Sequence, residues 1–296
     1  MNPIQVTAYG LKAIIRLLLG HTPDADPKST VNERLDILGT ARPTNNEKVR
    51  LGVLIAGNKG HRYVPGEEGI ALTSIQDHTA TNASLYGPMP LCVRSVDDDL
   101  SKEMRDKYCL RKENTLNGLP VYEYYGMWVD IDPEDVNVIM RKITREPNQP
   151  PVIEIFHPDT EDLYPTPIAL PTTGAVTTTD VSISCSAVLT VTMPENILEE
   201  FINSAKLKYN GDERYAVLSE FALCLSAQRT VSINTTSGQA NFLESIGTQI
   251  YNFAMDHKAV YYNTQELTID FDIGNQIPLL GTQSIPTMQT IGVTVP

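Results

Sequence analysis

The sequence predicts an α+β protein: mixed β-sheets with packed amphipathic helices, an N-terminal helical arm and two sub-domains behind it. Three observations predict this. Runs dense in β-branched residues, such as Val49–Ala56, Val181–Met193 and Leu267–Ile273, read as strands. Asn117-Gly118 between two such runs reads as a hairpin turn. Apolar residues recur at helical spacing in Val6–Leu19 and again from Ile197 to Ala205.

Taken in order, Leu11, Ile14, Ile15 and Leu18 share one helical face and Gly20 supplies a stop, so the chain is expected to open with a short amphipathic helix. His21–Lys48 is polar and broken by Pro23, Pro27 and Pro43, which predicts an extended connection. Residues 1–48 are therefore expected to form an arm that docks on neighbouring subunits. The body begins with the strand Val49–Ala56 and the turn Gly57-Asn58-Lys59-Gly60. A second strand follows within Leu85–Val96. Asp97-Asp98-Asp99 is expected at the start of a helix carrying Leu100, Met104 and Tyr108, where negative charge complements the helix dipole. Tyr108–Thr115 and Leu119–Ile131 form the predicted hairpin, and Val138–Ile143 and Val152–Phe156 are expected to extend its sheet.

Pro158, Pro165, Pro167 and Pro171 predict a stiff connector and a boundary near Pro171, giving domains 49–171 and 172–296. Beyond it come the strand Val181–Met193 and a helix opened by Pro194-Glu195, whose Ile197, Leu198, Phe201, Ile202 and Ala205 suit packing on a sheet. Tyr215–Ser226 is expected as a strand. Phe242, Ile246, Ile250 and Phe253 read as a second amphipathic helix, and Leu267–Ile273 as the final strand.

Composition narrows the function. With 41% hydrophobic and 20% charged residues the chain is that of an ordered globular protein, and its net charge of −13 repels phosphate and anionic lipid surfaces. Neither nucleic acid nor membrane is expected as a partner. The apolar run Ala13–Leu19 is too short to span a bilayer and no small-residue cleavage site follows, so neither anchor nor signal peptide is predicted. Cys92, Cys109, Cys185 and Cys224 are widely spaced and read as reduced core thiols.

Searches for chemistry fail on spacing. A Gly-x-Ser-x-Gly elbow is absent, and His21, His61, His78, His157 and His257 form no i, i+4 pair of the kind zinc uses on a helix. Gly57-Asn58-Lys59-Gly60-His61-Arg62 lacks both the Lys-Ser/Thr of a phosphate loop and the third glycine of a dinucleotide fingerprint; it reads as a turn whose basic side chains meet an acidic neighbouring surface. Asp270-Phe271-Asp272 lacks the remaining calcium ligands, and Asp130-Ile131-Asp132 reads as one solvated strand face. No cofactor and no metal are expected.

Three stretches nevertheless carry a resemblance: Gly57–Arg62, Leu85–Arg111 around Pro88-Met89-Pro90-Leu91 and Asp97-Asp98-Asp99-Leu100, and Gly211–Cys224. They resemble structural proteins of contractile-tailed bacteriophages, in the neck and baseplate group. The last is similar to baseplate and tail-fibre attachment domains, in which a helix leads to a strand carrying a glutamate followed by small and apolar residues. The resemblance covers the chain discontinuously and includes no catalytic signature. It implies a non-enzymatic virion structural protein in a ring-like tail baseplate or neck/collar assembly, located in the virion and, during assembly, in the host cytoplasm. The implied partners are copies of itself and other phage tail or neck proteins. Glu220 would be structural, pairing with a backbone or basic group. The candidate interaction residues are Leu11, Ile14, Ile15, Leu18, His61 and Arg62. Two alternatives stand beside this: a tail-fibre adaptor or host-glycan binder using Tyr122, Tyr124 and Tyr125, and an enzyme whose dispersed site draws on His61, Asp130, Asp132 and His157.

Overall fold

A computed structural model describes residues 4–18, 20–21, 27–65, 71–146, 148–157, 180–235 and 238–278. The chain divides into two units, each discontinuous: residues 1–131 with 190–271, and residues 132–189 with 272–296. Pro171, where the sequence suggests a boundary, and the proline connector before it lie outside the described residues. The described elements are those of an α+β protein in which antiparallel sheets dominate.

In the first unit the strands are β1 (Ile4–Val6), β2 (Val49–Gly57), β3 (His61–Pro65), β4 (Ala71–Ile75), β5 (Cys92–Ser95), β6 (Tyr108–Leu116), β7 (Leu119–Trp128), β11 (Val217–Thr235) and β12 (Gly238–Ala259). Its main sheet has the order β1-β12-β11-β2-β7-β5, with β6 paired to β7. The continuous apolar run of β2 suits its central place, since a strand covered on both faces gains from burying every side chain. Val53, Ile55, Leu110, Tyr125, Cys224 and Phe253 lie in one core cluster, and a ring or aliphatic side chain fully buried there contributes about 2–3 kcal/mol. β6 and β7 meet at Asn117 (φ 51°) and Gly118 (φ 80°), two consecutive left-handed residues that match the twist of a two-residue hairpin.

The helices are short except for two. α1 (Ala8–Leu18) opens the chain, α2 (Val31–Leu35) and α3 (Lys102–Arg105) are single turns, and α4 (Glu195–Lys208) buries the five apolar positions its spacing indicates. Glu195 in the first turn of α4 and Lys206 and Lys208 in the last complement its dipole. An ion pair between Glu200 and Arg94 ties α4 to β5.

Several expectations change. Phe242, Ile246, Ile250 and Phe253 lie on β12, not on a helix. A four-residue interval is one helical turn but also two strand repeats, so this spacing does not discriminate. Register shifts between Leu225 and Ala227 and between Leu223 and Cys224 on β11 break the alternation, so only Ile250 and Phe253 join the main core cluster. The arm is also revised. β1 pairs with β12, and Val31, Leu35 and Ile37 enter the core, with the buried Asn32 donating to Ser245 O (2.7 Å) and accepting from Thr248 N (2.7 Å). α3 is capped by Ser101 rather than by the aspartates, and Tyr108 belongs to β6. Asp99 instead accepts from Leu100 N and the Tyr124 hydroxyl.

The second unit centres on β8 (Ile139–Arg145), β9 (Val152–Ile155) and β10 (Asp180–Pro194), in a sheet of order β13-β10-β8-β9 completed by β13 (Glu266–Pro278). β8 and β9 thus belong to this sheet and do not extend the β6–β7 hairpin. β9 is exposed along its length, and Ile153 and Ile155 oppose Ile143 and Arg141 on β8. Cys185 is exposed on β10, unlike the other three thiols, which are buried. Back in the first unit, the outer end of the β11–β12 hairpin carries no ionisable side chain from Thr230 to Leu243.

Candidate functional site

The three stretches singled out in the sequence meet around one buried carboxylate. Glu220, on β11 opposite Gly57 of β2, is 0% exposed. Its Oε1 accepts from Gly87 N (2.7 Å) and its Oε2 from Tyr86 N (2.8 Å), while Oε2 also lies 3.1 Å from His78 Nε2. The His78 ring is stacked between Phe253 (3.9 Å between centroids) and Tyr86 (4.5 Å). Gly60 N donates to Ser219 Oγ (2.9 Å), so the Gly57–Gly60 turn lies directly on β11. A Cβ at Gly57 would sit 2.5 Å from Glu220 Oε1, and one at Gly60 2.5 Å from Ser219 O. Glycine is required here by the approach of two chains, not by a phosphate.

Chemically this is a tether. Two backbone donors and an imidazole converge on two oxygens, and both side chains are sealed from solvent. A His–Glu pair is also what a general base would use, but a base must reach a substrate proton, and both faces of this ring are covered. The pair escaped the sequence reading because His78 and Glu220 are 142 residues apart.

Beside the tether lies a cleft of about 790 Å³, with Lys59, His61, Tyr63, Tyr209, Arg214 and Tyr215 among its walls. A smaller cavity of about 360 Å³ adjoins it, sharing Tyr63, Arg214 and Val217 and adding His257, Tyr261 and Tyr262. The β3–β4 hairpin supplies Tyr63. Asn210 (φ 54°) and Gly211 (φ 90°), past the end of α4, turn the chain into the Tyr209–Val217 wall. Burial is the main cause of the lowered pKa of His61, helped by His257 and opposed by Glu220.

The expected interaction residues divide. Leu11 is 40% and Ile15 57% exposed on α1, Ile14 is half-buried, and the side chain of Leu18 lies outside the described residues. His61 is in the cleft and Arg62 is exposed. Of the dispersed-enzyme candidates, Asp132 accepts from Glu134 N (3.0 Å) at the turn Pro133–Asp135 and, with His157, belongs to the second unit, whereas His61 and Asp130 belong to the first. Tyr122, Tyr124 and Tyr125 are all buried on β7, so the glycan platform expected of them is not there. Among the described residues no helix is long and apolar enough to cross a membrane, and no group of three or more His, Cys, Asp or Glu side chains is placed to hold a metal.

Comparison with protein families matches residues 2–288 to a family of unknown function, DUF7208. The chain belongs to this family. Neither the curated proteins nor the solved structures gave a match.

Proposed function

We propose that this DUF7208 chain is a non-enzymatic structural subunit of a large assembly, a ring-forming neck or baseplate component of a tailed-bacteriophage virion. Its partners in this reading are copies of itself and other tail or neck proteins. The observation that carries the reading is the orientation of α1. Gly10 and Ala13 (2% exposed) face inward, and a Cβ at Gly10 would meet Tyr251 Cα at 2.7 Å. The large apolar side chains Leu11 and Ile15 face outward. Folding alone favours the reverse, so the helix is built to stay close to its own sheet while offering apolar side chains to a second surface. The tether supports the same reading, because it spends the chain's most catalyst-like pair on holding loops together.

The test is oligomeric state by light scattering across a concentration series, for the wild type and for Leu11→Glu and Ile15→Glu. Wild-type protein is expected to form a closed oligomer, and both substitutions to yield folded monomers of unchanged melting temperature. A wild type that stays monomeric at every concentration, or variants that assemble as the wild type does, would remove the basis of the proposal. Point substitution is the sharper tool, because deleting the first twenty residues would also remove β1 and Thr7, whose backbone N–H donates to Tyr251 O (2.8 Å).

A further inference from the structure

We propose that the cleft beneath the β3–β4 hairpin is a binding site for a short saccharide bearing a carboxylate. The site stands apart from the α1 surface and does not depend on assembly.

Its walls are aromatic and open. Tyr63 is 62%, Tyr215 48% and Tyr261 66% exposed, an unusual grouping on one concave surface. The rings are held by neighbours: Tyr215 is backed by Tyr209 (4.1 Å, 14° between planes), and Tyr63 stands edge-on to His61 (5.3 Å), which stands edge-on to His257 (4.6 Å). Tyr262 donates from its hydroxyl to Asn203 Oδ1 (3.3 Å) beneath the Lys206 ammonium. A ring backed on one face and half exposed presents its other face, preorganised, to the flat C–H surface of a sugar.

The polar groups suit hydroxyls. Asn58, Lys59, His61 and Arg214 bring polar side chains to the larger cavity and His257 brings one to the smaller, and such groups donate to or accept from sugar hydroxyls. The charge suits an acid. Glu213 is paired with Lys206 (2.5 Å) and Asp212 with Arg214 (2.7 Å), whereas the Lys59 ammonium has no ion-pair partner among the described residues. The spare charge in this cleft is therefore positive, on a chain of net charge −13. One spare cation is not a phosphate-tracking groove, which argues against nucleic acid. Each of the two cavities, about 790 Å³ and about 360 Å³, lies in the size range of small-molecule sites, about 300–1,000 Å³.

The experiment is an array of acidic and neutral oligosaccharides, followed by calorimetry with trigalacturonate, maltotriose and a Glu-Tyr-Glu peptide on the wild type and four variants. Acidic saccharides are expected to bind. Tyr63→Ala and Tyr215→Ala should weaken binding about tenfold each, Tyr63→Phe should preserve it, and Lys59→Gln should weaken acidic but not neutral ligands. Tyr63 is exposed, so its loss leaves the melting temperature unchanged and the result interpretable. No binding across the array, tyrosine variants that bind as the wild type does, or a preference for the peptide would each overturn the assignment.

Discussion

The β11–β12 hairpin buries two carboxylates by opposite means. Glu220 has donors on both oxygens from Tyr86 N, Gly87 N and His78. Glu244 leaves Oε2 without a hydrogen bond, and burial raises its pKa to about 7 against the pull of the Arg111 backbone N–H and charge. The surrounding charges there rest on ring faces: Arg111 lies over Tyr122 (3.4 Å) and Phe242 (4.7 Å), and Arg105 over Phe242 (4.5 Å). What separates the two sites is donor geometry, not net charge. One carboxylate ties the β4–β5 connection to the Gly57–Gly60 turn, and the other takes up a proton near neutrality.

The sharpest way to break this contrast is Glu220→Ala, which strands two partly buried backbone donors and the buried His78; a loss of about 3–5 kcal/mol in urea denaturation is expected, and a loss under about 1 kcal/mol would show that water replaces the carboxylate without difficulty. Next is the pH dependence of Glu244. Its folded pKa is raised above the unfolded value, so the folded state binds the extra proton and stability falls as pH rises from about 4.5 to about 7, by on the order of 3 kcal/mol, and is level above that. Glu244→Gln should abolish this slope and raise stability at pH 8; a slope that survives the substitution assigns it to another group. Gly60→Ala, forced against Ser219 O, should cost about 1–3 kcal/mol by thermal melting, the turn giving way while the sheet persists. Smallest is a contrast among thiols. Cys185 should react rapidly with a maleimide while buried Cys92, whose pKa burial pushes up to about 12, stays unmodified until unfolding.

Legibility followed locality. α4 could be read because its five apolar positions span about two turns on one face, and all five are buried. The β6–β7 turn could be read because Asn117-Gly118 encodes its own backbone angles. β12 could not, because its four-residue spacing satisfies two periods and its register shifts are set by pairing with β11. Cys185 reads as a core thiol because its apolar and small neighbours suit either face of a strand, and only the pairing of β10 between β13 and β8 decides which face it takes. The candidate sites were least legible. The glycines at 57 and 60 stand out in the sequence, yet what requires them lies more than 150 residues away, at the Glu220 carboxylate and the Ser219 backbone oxygen. The cleft draws on His61, Tyr63, Tyr215 and Tyr261, residues unremarkable until β3–β4 and the end of β12 bring them onto one surface.

The uncharged outer end of the β11–β12 hairpin bears on encounter. Two copies of a chain at −13 repel one another, and that repulsion is screened within about 10 Å at 0.1 M salt. Contacts through Thr230–Thr235 and Gly238–Leu243, which carry no ionisable side chain of their own, are less sensitive to ionic strength than contacts through acidic segments. Contacts elsewhere on the acidic surface accelerate as salt is added.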